Sequence, residues 1–191
     1  MMKNKVNRRD FLKNTSLSAL GAGLVFNGSI ALGSVAHETE TNSERLVGKV
    51  IKDFDRSNLF INTKLYTEKE FPSKDEVLKR TYASLERLGT DYVDCMMIHS
   101  AENTRILKDK SFHAAMKQLK KEGKVRHVGV SCHGNNWAID TEENLETILL
   151  AAVGDGRFDV ILLAYNFVNA GMAGKILDAC EQKNIATIVM K

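Results

Sequence analysis

From Ser43 to its last residue the chain alternates short runs that are apolar on both faces with longer runs of helical period, and very little loop joins them. A strand that meets water on one side alternates polar and apolar residues. "DYVDCMMIH" (91–99) and "FDVILLAYN" (158–166) do not, so they require cover on both faces. "NLFINTK" (58–64), "KVRHVGVS" (124–131) and "IATIVMK" (185–191) read as strands as well. After the first, Ser73 and Glu76 form a capping box that opens a helix with Leu78, Tyr82, Leu85 and Leu88 on one face and Gly89 at its end. Phe112, Met116 and Leu119 face inward in the next helix, closed by Gly123. Leu145, Ile148, Leu149 and Ala152 mark a third, with Gly154 after it, and Met172, Ile176 and Ala179 a fourth. One more helix is expected over 43–54.

Strands separated by helices predict an α/β fold with a parallel sheet, either doubly wound or a (β/α)8 barrel of the TIM type. A doubly wound nucleotide-binding sheet carries a glycine-rich turn after an early strand, and neither GxGxxG nor GxxxxGK[ST] occurs. Instead Lys64, His99, Ser131, Asn166 and Lys191 stand at strand ends. A barrel gathers those ends around one mouth, where its chemistry takes place. A lone strand-end histidine often serves packing, and a lone lysine reaches solvent. The pair Lys64 and His99 says more, because titratable groups ending consecutive parallel strands share one rim and can address one substrate.

The chain's excess of 27 basic over 24 acidic residues comes from its start, where Lys3, Lys5, Arg8, Arg9 and Lys13 face only Asp10. The remainder is close to neutral, which offers no footprint for nucleic acid or an anionic membrane. "NRRDFLK" followed by "SLSALGAGLVF" and the small residues of "GSVA" resembles a twin-arginine export signal, with Arg8, Arg9, Phe11, Leu12 and Lys13 carrying the resemblance. A membrane anchor is the competing reading, but a span needs about 20 apolar residues and this core is shorter and interrupted by glycine. The expected division is a signal over 1–36, a mature domain over 37–191 with no membrane span, and a periplasmic address. Cys95, Cys132 and Cys180 then allow one disulfide, or three buried small hydrophobes. No CxxC spacing encodes a metal or cluster site, and no metal is expected.

Three blocks, "SERLVGKVIKDFDRSNLFINTK", "SLERLGTDYVDCMMIH" and "LKKEGKVRHVGVSCHG", resemble the aldo/keto reductases in order and spacing. The similarity runs from about Ser43 to Lys191, and "SCHGNN" and "AYNF" are similar to a bacterial branch whose members often carry twin-arginine signals. The resemblance implies a (β/α)8 barrel that binds NADPH or NADH without a Rossmann fold and passes hydride to a small-molecule carbonyl. It implies catalytic roles for Lys64, at the family's lysine position, and for His99, at the histidine that orients the carbonyl. It places Ser131 and Cys132 where the family holds the nicotinamide amide, with cysteine in place of the usual asparagine. Asn166 and Lys191 join them on the cofactor side. Leu162 stands where a cofactor-contacting glutamine is common, and Met190 where a residue often stacks on the nicotinamide.

The same resemblance implies two departures. The strands bearing the family's aspartate and tyrosine are expected ahead of Ser43, where Ser34 and Glu40 occupy the aligned places, and nothing after Lys191 supplies the family's last strand and helices. About five of eight strands are therefore expected, as an incomplete barrel whose open edges a partner chain would cover. The reading is an oxidoreductase impaired by truncation, with His99 available as the acid. Tyr66, two residues past Lys64, could substitute as the acid, with an exposed structural tyrosine as the preferred reading. The alternatives are a non-catalytic remnant or interaction subunit, and a metal-dependent hydrolase using His99 and His133. "NTRILKDKS" and "NNWAIDTEEN", with Trp137, are expected as rim loops.

Overall fold

The computed structural model describes residues 35–67, 69–134 and 143–190, with side chains from Ser43 onward. Among them, α1 (Val35–Ile51) leads into β1 (Asn62–Leu65), and then α2 (Lys74–Leu88), β2 (Val93–Ile98), α3 (Lys110–Lys121), β3 (Val125–Cys132), α4 (Leu145–Asp155), β4 (Val160–Ala164), α5 (Ala170–Gln182) and β5 (Ala186–Met190) follow. All pairings are parallel and the sheet order is β1-β2-β3-β4-β5. This is the expected α/β arrangement of five parallel strands. β1 and β5 form the sheet's edges among the described residues.

The helices show which local signals act. Ser73 Oγ accepts from the Glu76 N–H at 3.1 Å, and Gly89 closes α2 in the left-handed region at φ 63, a conformation that glycine enters without steric cost. The buried face of α2 is Val77, Thr81, Ser84, Leu85 and Leu88 rather than one containing Tyr82, which is exposed. Thr81 makes this rotation possible by returning its hydroxyl to the Val77 carbonyl at 2.9 Å, so a polar residue is buried with its hydrogen bond made. α5 likewise buries Ala173, Ile176 and Cys180 instead of Met172 and Ala179. α4 passes through Gly154 and ends at Gly156, φ 78. α1 begins at Val35, ahead of the helix expected from Ser43 and across the 36/37 boundary. Residues 1–34, with the twin-arginine motif, lie outside the described part of the chain.

Most of the apolar core lies between the sheet and its helices, including Phe112, Met116, Leu119, Leu149 and Ile161. The other face of the sheet holds a smaller cluster of Cys95, Met97, Val160, Leu162 and Met190. Gly129 lies within that face, where a Cβ would meet the Val160 carbonyl at 2.8 Å and Met97 Cγ at 2.9 Å. Only glycine lets β3 sit this close to its neighbours.

Three buried carboxylates pin the elements together. Asp94, at the start of β2, accepts from the Ile61 N–H at 2.9 Å, Arg56 at 2.8 Å and Arg126 at 3.0 Å. Asp159, before β4, accepts from the Val128 N–H at 3.0 Å and Lys120 at 2.8 Å. Glu44 joins α1 to α2 through Arg87 at 2.6 Å and to β1 through Thr63 at 2.5 Å. A buried carboxylate that bonds a neighbouring strand's backbone fixes register, since a slip of one residue would lose the bond and turn every side chain over.

Candidate active site

Side chains two apart on a strand share a face, so the register sorts the site into rows. Lys64, Met97, Gly129, Val160 and Ala186 are aligned across all five strands. Ser131, Leu162 and Ile188 form the next row toward the carboxyl ends. His99 follows Met97 by two residues and Tyr66 follows Lys64 by two, which carries both to the level of this second row. The Tyr66 and His99 rings meet edge-on, centroids 5.9 Å apart and planes at 75°. His133 approaches His99 from the other side, at 6.1 Å and 58°. Lys64, Tyr66, His99 and His133 are all half-buried. Tyr66 thus differs from the exposed residue that its sequence context suggested, because Arg80 donates to its carbonyl at 2.8 Å and holds the chain against the rim.

Ser131 is fully buried. Its hydroxyl accepts from the Ser100 N–H at 2.9 Å and donates to the Ile98 carbonyl at 3.3 Å. Ser100 takes the left-handed conformation at φ 52, which a residue other than glycine occupies at a cost of about 1–2 kcal/mol. Ser131 therefore braces the strained turn that follows His99, and the Ala101 N–H adds a bond to the Ser131 carbonyl at 2.7 Å.

Cys132 does not join Ser131 on this face. Alternation sends its side chain into the helix-side core, where burial pushes the thiol up to about 11 despite a hydrogen bond from the Gly134 backbone. None of Cys95, Cys132 and Cys180 is bridged, which removes the disulfide from the two readings of these residues. Asn166 lies past β4, and its Oδ1 accepts from the Val168 N–H at 2.9 Å and the Asn169 N–H at 3.3 Å, so its carbonyl shapes the loop. Lys191 and Trp137 lie outside the described residues. Leu162 and Met190 belong to the smaller apolar cluster, against which Phe60, Ala186 and Ile188 pack.

The loop after β2 is less solvated than its sequence implies, because Ile106 and Leu107 are buried in a short 3-10 turn. Thr104 also binds Glu143 through its N–H at 3.1 Å and its hydroxyl at 2.6 Å, which ties this loop to the residues that enter α4. Among the described residues, no set of three or more histidine, cysteine, aspartate or glutamate side chains converges as a metal would require. A cleft of about 560 Å³ lined by Phe54, Tyr82, Tyr92 and Lys124 opens near the start of β2, at the opposite end of the sheet. Its Arg56 is committed to Asp94 and its Tyr82 to Glu122, so the strand-end rim is the better candidate.

Parallel strands alternating with helices define a (β/α)-repeat protein, and Tyr66, His99 and His133 meet at the carboxyl ends of its sheet, one row beyond Lys64. The chain belongs to the aldo/keto reductase family, whose profile matches residues 39–191. It is similar to methylglyoxal reductase DkgB of Salmonella typhi, 33% identical over 115 residues that span 59% of this chain and 39% of that protein. The NADH-specific methylglyoxal reductase of Escherichia coli (strain K12) is 25% identical over 165 residues, covering 78% of this chain and 47% of its own. A solved aldo-keto reductase from Klebsiella pneumoniae in complex with NADPH superposes with a TM-score of 0.58 at 25% identity, over 78% of this chain and 48% of that one. The chain spans less than half the length of each of these three relatives.

Proposed function

We propose that the chain is an NAD(P)H-dependent oxidoreductase that reduces a small-molecule carbonyl at the rim formed by Lys64 and His99. The observation that supports this most is their placement, on adjacent parallel strands and one face of the sheet, within a chain of the aldo/keto reductase family. The residues fit a nicotinamide cofactor. Leu162, Ile188 and Met190 offer an apolar floor for a planar ring, about 10 Å along the sheet from β2 at the usual strand spacing. Either nucleotide is compatible, since one relative is NADH-specific by name and another was solved with NADPH. When bound, the reduced nicotinamide supplies the hydride.

The chain's own residues do the rest. His99 orients the carbonyl oxygen, and Lys64 places a positive charge one row below it, where charge develops on that oxygen. Ser131 keeps the turn after His99 in shape, Cys132 packs behind it, and Asn166 borders the cofactor after β4, while the family resemblance adds Lys191 to the cofactor contacts. The twin-arginine resemblance supports export of the folded protein to the periplasm. The two sheet edges among the described residues, with exposed Leu46 and Val50 on α1 and Val189 on β5, support a second reading in which a partner chain covers them and this chain is an interaction subunit.

The test is titration of the purified chain with NADPH and with NADH, followed by the nucleotide's own emission, and then turnover of small aldehydes. Saturable binding is expected, with Lys64→Ala and His99→Ala each lowering kcat by about 100-fold or more. Unchanged turnover in both variants would remove the rim from the mechanism. A folded chain that binds neither nucleotide and runs larger than a monomer on size exclusion would favour the interaction subunit.

A further inference from the structure

We propose that the cleft near the start of β2 is a second binding site and that it takes a free aromatic amino acid. The cleft shares no residue with the strand-end rim, so the site stands or falls apart from the reductase reading above. Its volume of about 560 Å³ lies within the range of about 300–1,000 Å³ usual for small-molecule sites.

One wall of the cleft is fixed by its own hydrogen bonds. Arg56 donates to the Leu59 and Tyr92 carbonyls, both at 2.9 Å, and to Thr90 Oγ1 at 3.0 Å, in addition to Asp94. Thr90 gives its hydroxyl proton to the Tyr92 carbonyl at 3.1 Å. The Tyr92 ring is held between the Arg56 and Arg126 guanidinium groups, each 3.9 Å from its centroid. These polar groups are engaged inside the protein, and the wall keeps its shape whether or not the space beside it is filled.

The other lining groups have capacity left. Phe54, after α1, is 52% exposed and Tyr82, on α2, is 39% exposed. Tyr82 gives its hydroxyl to Glu122 at 2.5 Å, which leaves its ring for a ligand. Ile51 and Leu85 add aliphatic surface, so a planar ring finds both stacking and apolar contact. Among the described residues no side-chain hydrogen bond or ion pair engages Lys52, Lys124, Glu86 or Asp91, which line the same space. Lys52 runs along the cleft, since its Cε lies 3.8 Å from the place a Cβ would take on Gly89.

Two ammonium groups and two carboxylates around one apolar space decide what fits. An aromatic acid would pair with the lysines and be repelled by Glu86 and Asp91. An aromatic amine would meet the reverse. A neutral ring would leave all four charges without a partner. An amino acid carries a carboxylate and an ammonium on one carbon and so meets both signs while its ring enters between Phe54 and Tyr82.

The test follows backbone amide shifts of the isotope-labelled full chain during titration with L-phenylalanine, phenethylamine, hydrocinnamate and L-alanine. L-Phenylalanine is expected to shift the Gly89, Thr90 and Lys124 amides saturably. The amine lacks the carboxylate, hydrocinnamate lacks the ammonium and alanine lacks the ring. Each is expected to bind about threefold or more weakly, the scale of one partly exposed ion pair or one aromatic contact. Phe54→Ala and Glu86→Gln change exposed residues outside the apolar core, the same spectra show that they fold, and each should weaken L-phenylalanine by a similar factor. Cleft amides that stay in place at about 20 mM L-phenylalanine would overturn the site. A loss below about threefold for the amine or the acid would overturn the choice of a zwitterion. Wild-type affinity in either variant would overturn the placement of the ligand between Phe54 and Glu86. NADPH binding and turnover are read separately, so failure of this site leaves the reductase reading standing.

Discussion

Removing the Asp94 carboxylate should be among the costliest single changes to this fold. The side chain is fully buried and accepts three hydrogen bonds that differ in what remains when it is gone. The Ile61 N–H is buried and loses its acceptor outright, at about 1–3 kcal/mol. Arg56 loses a charge-assisted bond of about 1.5–3 kcal/mol but keeps the Leu59 and Tyr92 carbonyls, both at 2.9 Å. Arg126 is 47% exposed and turns to water, so its share stays below about 1 kcal/mol. These contributions are not additive, and Asp94→Ala is expected to cost about 3–5 kcal/mol, the range for breaking a buried ion pair. Urea unfolding gives the number. Asp94→Asn keeps an acceptor for Ile61 while losing the charge, and should cost about half as much. A loss under about 1 kcal/mol in Asp94→Ala, or equal losses in the two variants, would refute this account of how Asp94 pins β1 to β2.

Burial holds the His113 imidazole below its ordinary value, with the Leu107 carbonyl partly opposing the shift. The ring is neutral in both states above about pH 6.5; below that the unfolded chain takes the proton first, so stability falls with pH through this window. His113→Gln should flatten the fall below about pH 6.5 in pH-dependent unfolding, and an unchanged slope would exclude His113 as its source. Cys132 and Cys180, pushed up to about 11 by burial, should resist a disulfide-exchange reagent at pH 8 until urea unfolds the chain; fast labelling of the native protein would contradict their burial. Gly129→Ala sets a methyl group against the Val160 carbonyl and should cost about 1–3 kcal/mol in the same urea assay, whereas an unshifted midpoint would show that β3 and β4 can part.

What could be read from the sequence follows the range of the interaction. Strands apolar on both faces announce a covered parallel sheet by composition alone, and a serine cap or a left-handed glycine acts within four residues, so β2, β4 and both ends of α2 were legible. The face of α2 was not. Thr81 and Ser84 look solvent-facing until the Val77 carbonyl and the Arg87 side chain satisfy them, and the apolar count then favours Tyr82 wrongly. The face of Cys132 was hidden for a related reason. The resemblance assigned it with Ser131 as a pair, while the alternation of β3 turns the two side chains to opposite faces.

The buried carboxylates and the tyrosine at the rim mark the limit of such reading, and they divide the molecule in a way that bears on function. Asp94 meets Arg56 across 38 residues and Asp159 meets Lys120 across 39, so each carboxylate looks in sequence like a polar interruption of an apolar run. Both act where strands begin, and they fix register there. The groups proposed for chemistry stand where the same strands end, and Tyr66 meets His99 across 33 residues only because that register is kept. A slip of one residue between β1 and β2 would leave Lys64 and Tyr66 on the opposite face from His99. The pins therefore contact no reacting group and still decide whether the rim exists. Ser131 does the same work at the rim itself, across 31 residues, since it holds the strained Ser100 turn that sets the direction of the chain after His99.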